Sequence, residues 1–138
     1  MMKAIIVEQA EDRTVSAAVQ DIDAAQLPGD GDVDIAVEYS NINYKDGLCL
    51  HGLGGLVRNY PHVPGIDFAG EVIASRDPNF KPGDKVIMGG QRGGEVRWGG
   101  YATQASEQSL RLVHLPDGMT TRESQMLGTA GFTAMQAI

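Results

Sequence analysis

The densest run of chemistry-bearing side chains in this 138-residue chain is SNINYKDGL, Ser40 to Leu48, which sets Asn43, Tyr44, Lys45 and Asp46 side by side. Just before it, Val33, Ile35, Val37 and Tyr39 alternate with polar or small residues, the pattern of a half-buried strand. Binding residues often stand at the end of such a rigid support. A tyrosine there has the chemistry to stack on a flat ring or to donate a hydrogen bond. Lys45 and Asp46 read as an exposed ion pair of little energetic weight. The same residues also suit a plain turn, because Asn and Asp close turns readily. A second acidic position, Asp67, sits in VPGIDFAGEV (Val63 to Val72), read as a strand. Strand side chains alternate in facing, so Ile66, Phe68 and Val72 share one side and Asp67, Ala69 and Glu71 the other. That pattern leaves open whether Asp67 is a solvated outer carboxylate or part of a chemical site.

Other chemistries find little support. His51, His62 and His114 are the only histidines, and none belongs to a His-x3-His or Cys-x2-Cys pair. Closed metal sites need about four ligands, so the three read as surface or loop residues. No G-x-S-x-G is present, and Cys49 lies in a Leu-Cys-Leu setting that suits a buried, inert thiol. The run MGGQRGGEVRWGG, Met88 to Gly100, lacks the Gly-Lys-Ser/Thr ending of a phosphate-binding loop and forms no strand–GxGxxG–helix unit. Its glycines suit tight turns where backbones approach closely. A net charge of -7 argues against non-specific nucleic-acid binding, since no basic cluster neutralises phosphates. The apolar run Ala4 to Val7 is too short for a signal peptide, and no stretch could span a bilayer. One cysteine permits no intramolecular disulfide. A soluble cytoplasmic protein is the expectation.

The elements that must position these residues read as short strands. They fall at Ala4 to Glu8, Val15 to Val19, Val33 to Tyr39, VPGIDFAGEVIAS, Lys85 to Met88, WGGYATQAS and LRLVHLP, with a short helix around Tyr44 to Leu50. Turn chemistry at LPGDGD and KPGD separates them, and 18 glycines agree with a turn-rich β domain. Such spacing indicates a sandwich or a partly open barrel. Near the end, Thr120 or Thr121 offers a helix cap, with Glu123 placed for a capping box if Thr120 is the cap. GTAGFTAMQAI then reads as the start of another helix, with no glycine cap or proline to close it. The expectation is a chain that continues.

Together NYKD, VPGIDFAGEV, KPGDKVI, WGGYAT and GTAGFTAM resemble, in order and spacing, the medium-chain dehydrogenase/reductase superfamily. They look like its zinc-independent quinone oxidoreductase branch, and GIDFAG, the WGG segment and LGTAGFTAM look closest to the acryloyl-CoA reductase group. The resemblance implies a mainly β fold, a GroES-like partly open β-barrel with short helices, over residues 1–120. Residues 121–138 would begin a helical connection to a Rossmann domain that binds NADPH. Zinc-dependent relatives carry Cys-x-x-Asp where this chain has Asn43 to Asp46, and Gly-His-Glu where it has Gly65-Ile66-Asp67. Asn43 and Ile66 then replace two zinc ligands, which implies no zinc. The implied chemistry is hydride delivery to a double bond conjugated to a carbonyl, with polar groups stabilising the enolate. Tyr44 and Thr129 are the implied cofactor contacts, and Asn43 and Asp67 the candidate catalytic residues, with Asp67 facing the cleft to orient Asn43, Lys45 or a water. The loop Arg92 to Trp98 would border the substrate entrance, with Arg58, Arg92 or Arg97 as candidates for a CoA phosphate. Partners would be a small-molecule substrate, a CoA thioester or a quinone, and a second copy in a homodimer. A stand-alone, non-catalytic GroES-like binding module is the alternative from another class.

Overall fold

The computed structural model describes Met1–Ile138. Strands β1 (Met2–Gln9) and β2 (Val15–Ile22) pair antiparallel along their whole lengths and form a two-stranded sheet. Five further strands, β3 (Val33–Ser40), β4 (Asp67–Ser75), β5 (Lys85–Gly89), β6 (Gln104–Glu107) and β7 (Leu112–His114), form an antiparallel sheet in the order β6-β3-β4-β5-β7. Helix α1 (Tyr44–Leu50) follows β3, and α2 (Thr121–Gln136) closes the chain.

Alternation builds the main core. Val33 and Ile35 on β3, Phe68 and Val72 on β4, Val86 and Met88 on β5, Ala105 on β6 and Leu112 on β7 bury one face of the larger sheet. A second cluster joins Met2, Ala4 and Ile6 of β1 with Ile22 and Val63. The two sheets meet along Tyr101 to Thr103. Ile5 N–H donates to the Tyr101 carbonyl at 2.8 Å, Thr103 N–H to Lys3 at 2.8 Å, and Val37 N–H to Thr103 at 3.0 Å. This seam bends the sheets toward each other without closing them, and the result is the expected partly open barrel.

The strand expected from Val63 begins only at Asp67. Gly65 takes φ +105°, which breaks the extended path, and its backbone lies against the glycine-rich loop. A Cβ on Gly65 would sit 2.6 Å from Tyr101 N, and one on Gly99 2.2 Å from the Gly65 carbonyl oxygen. Hydrogen bonds Gly99 N–H to Val63, Gly100 N–H to Gly65 and Tyr101 N–H to Pro64 hold this crossing. The same crossing takes Trp98 to Thr103 out of the strand read as WGGYATQAS, leaving β6 at Gln104–Glu107. LRLVHLP shortens likewise to Leu112–His114, because Ser109–Arg111 form a 3-10 turn.

Of the two threonines that could cap the last helix, Thr120 does so. Thr120 Oγ1 accepts Glu123 N–H at 3.1 Å, and Glu123 Oε2 accepts Thr120 N–H at 2.8 Å. Gly128 (φ 52°, ψ -162°) then breaks α2 into two helical segments. The helix packs over β3, β4 and β5 and leaves Met126, Leu127, Phe132 and Met135 exposed. One internal flaw accompanies the packing: Gln125 is buried, and neither its side-chain nitrogen nor its oxygen has a hydrogen-bond partner. Leaving a buried amide unpaired costs about 1–3 kcal/mol. Gln125→Met removes the unpaired groups at similar volume, so it is expected to raise stability by about 1 kcal/mol in urea unfolding. A loss of that size instead would show that the amide has a partner.

Candidate active site

Asp67, the first residue of β4, is fully buried and has no cation against it. Its carboxylate is satisfied by donors from three other segments. Oδ1 accepts Gly90 N–H at 3.0 Å and the Thr129 hydroxyl, while Oδ2 accepts Thr129 N–H at 2.8 Å and Asn43 Nδ2 at 3.2 Å. Its own carbonyl accepts Ser40 Oγ at 2.8 Å. The open question at this position is therefore settled for geometry: the carboxylate faces inward and is not solvated. Thr129 opens the second segment of α2, so the anion also meets the positive end of that segment. Gly128 allows the approach. A Cβ there would stand 2.1 Å from Asn41 Nδ2 and 2.9 Å from Asp67 Oδ2.

Asn43 is tied to the same centre. Its Nδ2 donates to Asn41 Oδ1 at 2.7 Å as well as to Asp67, which commits both amide hydrogens to the scaffold. Asn41 Nδ2 in turn donates to the Gln125 carbonyl at 3.1 Å, so this asparagine pair links β3 and α1 to α2. Beneath it lies Asp46, which is buried and not the exposed partner of Lys45 that the sequence suggests. Its Oδ2 accepts Asn43 N–H at 2.9 Å and its Oδ1 accepts Ile66 N–H at 2.9 Å and Gly65 N–H at 3.2 Å. Lys45 pairs instead with Glu95 in the glycine-rich loop, at 3.1 Å.

Two open pockets flank this network. One, of about 660 Å³, is lined by Ile42, Asn43, Tyr44, Leu48, Leu53 and Tyr101 among others. The other, of about 580 Å³, is bordered by Asp67, Gly89, Gln91, Leu127, Thr129 and Phe132. Tyr44 is 84% exposed at the rim of the first, and Thr129 lines the second. The structure thus brings Asn43, Asp67 and Thr129 into one hydrogen-bonded unit with Tyr44 beside it. Arg97 stands apart, bound to Glu107 and to the Gln91 carbonyl. Tyr101 was missed by the sequence reading. Its hydroxyl donates to the Asn41 carbonyl at 2.9 Å, and burial, reinforced by the Asp46 charge, holds it protonated far above the ordinary phenol range. The WGGYAT motif was the available signal.

The donor set does not fit a zinc ion. Ile66 offers no ligand atom in its side chain, and Asn43 turns its amide hydrogens toward Asn41 and Asp67. Cys49, on α1, is buried, and desolvation with the Asp46 and Glu95 charges pushes its thiol up to about 11. At neutral pH it stays protonated and is a poor nucleophile, as its apolar neighbours suggested. His62, read as a surface or loop residue, lies in the connection between α1 and β4 but is buried, with Nε2 2.6 Å from the Gly94 carbonyl oxygen. No helix is long and apolar enough to cross a membrane.

Comparison with known proteins places this geometry. Residues 29–134 match the alcohol dehydrogenase GroES-like domain. The chain is 52% identical to the acrylyl-CoA reductase of Ruegeria pomeroyi over its whole length, but spans 42% of that protein. Among solved structures, the YhdH oxidoreductase of Salmonella enterica in complex with NADP matches 99% of the chain at 46% identity and a TM-score of 0.92, with 41% of that structure covered. Bacillus subtilis YhfP with NAD bound matches equally well, at 44% identity and a TM-score of 0.92, again with 41% covered.

Two outcomes follow from the site's geometry. Asp67→Asn replaces one acceptor oxygen by an NH2 group that must face an N–H or amide donor. It is expected to cost about 2–3 kcal/mol in urea unfolding, and a change below about 0.5 would refute the hub role. Burial lowers the His62 pKa from 6.5, against a smaller opposing effect of the Gly94 carbonyl. The unfolded chain therefore binds this proton more readily, and the neutral ring's contribution is complete above pH 6.5 and lost as pH falls below it. Stability measured from pH 7 down to pH 5 is expected to fall in the wild type and to fall less in His62→Gln.

Proposed function

The chain belongs to the alcohol dehydrogenase GroES-like domain family of the medium-chain dehydrogenase/reductase superfamily, and from that premise we propose that it forms the substrate-side domain of a zinc-independent, NADPH-dependent reductase of activated carbon–carbon double bonds, with an acryloyl-CoA-like thioester as substrate. The observation that carries the reading is the Asp67 unit. It holds Asn43 and Thr129 in fixed positions between two open pockets, at a place where a metal-dependent relative needs ligands and this chain supplies none. A NADP-bound and an NAD-bound relative of the same domain geometry support a nicotinamide cofactor.

The residues present fit such a cofactor. Tyr44 offers an uncovered aromatic face beside an apolar pocket, suited to a flat ring. Thr129 offers its hydroxyl oxygen on the other flank, since the hydroxyl hydrogen is committed to Asp67. When bound, a dihydronicotinamide supplies hydride, which is the chemistry a double bond conjugated to a carbonyl accepts at its β-carbon. Asn43 and Asp67 contribute by position. Asn43 fixes the entry to α1 and so the aim of Tyr44, and Asp67 fixes Thr129 and the Gly90 turn. Exposed Ile42, Leu127 and Phe132 border the same pockets and would be covered by a nucleotide-binding domain continuing from residues 121–138. Pairing of two copies would then fall mainly to that domain.

In the full-length protein, kcat/KM for NADPH oxidation by acryloyl-CoA is expected to exceed that by a benzoquinone by at least about tenfold. Preference for the quinone would move the substrate and keep the fold. Oxidation of simple alcohols dependent on added zinc, with neither reduction, would overturn the reading. Residues 1–138 alone should bind NADPH only weakly, and a Kd near about 1 μM would contradict the division of labour.

A further inference from the structure

The first of the two pockets has walls of unequal firmness. Tyr44, Leu48 and His51 line it from α1 at spacings of four and three residues, which is one face of a helix. Asn43 and Tyr101 also line it, and both are fixed by the hydrogen bonds described above. The remaining wall is Leu53, carried by the turn that follows the helix, and it is held far less tightly.

Two hydrogen bonds tie this turn to α1: Gly52 N–H donates to the Cys49 carbonyl at 3.2 Å and Leu53 N–H to the Leu48 carbonyl at 2.8 Å. Beyond them, no residue from Gly54 to Tyr60 gives or receives a backbone hydrogen bond, and the next firm anchor is the buried side chain of Val57. A segment so sparsely tied opens at low free-energy cost. Gly52, Gly54 and Gly55 all lie at positive φ, at +64°, +70° and +61°. Packing requires the first, where a Cβ would stand 2.5 Å from Val15 Cγ2, but a Cβ on Gly55 would meet nothing within 4 Å. At Gly55 the glycine therefore supplies backbone freedom rather than space.

The tip of the turn carries a large apolar side chain. Leu53 is 55% exposed, and Tyr44 on the same pocket is more exposed still. Filling the pocket and closing the turn would remove both from water, which favours closure once a ligand is present. No lysine or arginine lines this pocket, so the phosphates of a CoA thioester find no counter-charge in it, whereas its uncharged acyl end fits apolar walls. Loops that close over a substrate keep water from the reacting atoms and open again to release product.

Resting on the reductase reading, we propose that Gly52–Gly55 is a lid that brings Leu53 over the acyl end of the thioester in the first pocket, with Gly54 and Gly55 as its hinge.

The test follows amide hydrogen exchange by mass spectrometry over residues 52–60 of the full-length protein, alone, with NADP, and with NADP and propionyl-CoA. Exchange is expected to be fast alone and with NADP, and to slow by at least about tenfold when propionyl-CoA is added. With acryloyl-CoA and NADPH, Leu53→Ala is expected to raise KM about fivefold at an unchanged melting temperature, and Leu53→Met to stay near wild type. Gly55→Ala meets no steric obstacle but resists φ +61°, and is expected to lower kcat about fivefold. Slow exchange in the protein alone would mean that the continuing domain already covers the segment, and would overturn the lid. Protection by NADP alone, no protection by propionyl-CoA in a protein that reduces acryloyl-CoA, or wild-type kinetics in Leu53→Ala and Gly55→Ala would overturn it too, with the reductase reading intact. A wild-type protein that neither binds nor oxidises NADPH overturns both.

Discussion

A carboxylate buried without a cation is tolerable only if enough donors converge on it, and Asp67 imposes that requirement on the whole site. Four hydrogen bonds meet the demand, and they come from three separate constraints of the chain. Gly90 must turn its N–H inward after β5, Thr129 must open a helical segment, and Asn43 must lead into α1. Moving any of these leaves a charged oxygen short of a partner in the interior. The result is a small rigid unit in which two helices and a loop are positioned by one side chain.

Glycine makes that convergence sterically feasible. Gly128 brings the second segment of α2 within reach of Asp67, and no side chain fits in the space its hydrogen occupies. Gly65, Gly99 and Gly100 do the same where the segment before β4 crosses the loop. That crossing also lets Asp46 receive the N–H groups of Gly65 and Ile66 and so anchors α1 from below. Two buried carboxylates thus hold the site from two sides, Asp46 through the backbone and Asp67 largely through side chains and helix ends.

This arrangement gives a chemical reason for the division of roles at the rim. Groups bound to Asp67 hold geometry, and their hydrogens are unavailable to a ligand. Tyr44, one step outward at the rim of the first pocket, keeps its own.

Much of this was legible along the chain. Alternation in Val33 to Tyr39 marked β3, the Thr120–Glu123 box marked the start of α2, and the set of motifs pointed to the superfamily. Asn43, Asp67 and Thr129 were singled out from sequence, and they prove to be one hydrogen-bonded unit. What the sequence could not show was partnership. Lys45 and Asp46 are neighbours that read as a pair, yet one reaches 50 residues on to Glu95 and the other is buried under Gly65 and Ile66. His62 read as a surface or loop residue, and its burial in a loop escaped notice because nothing in its neighbours reveals the Gly94 carbonyl against it. Residue types and local periodicity determined the strands, the caps and which chemistries were within reach. Only the tertiary structure decided which donors are committed and which remain free, because buried polar groups are satisfied across the fold, between segments that the sequence keeps far apart.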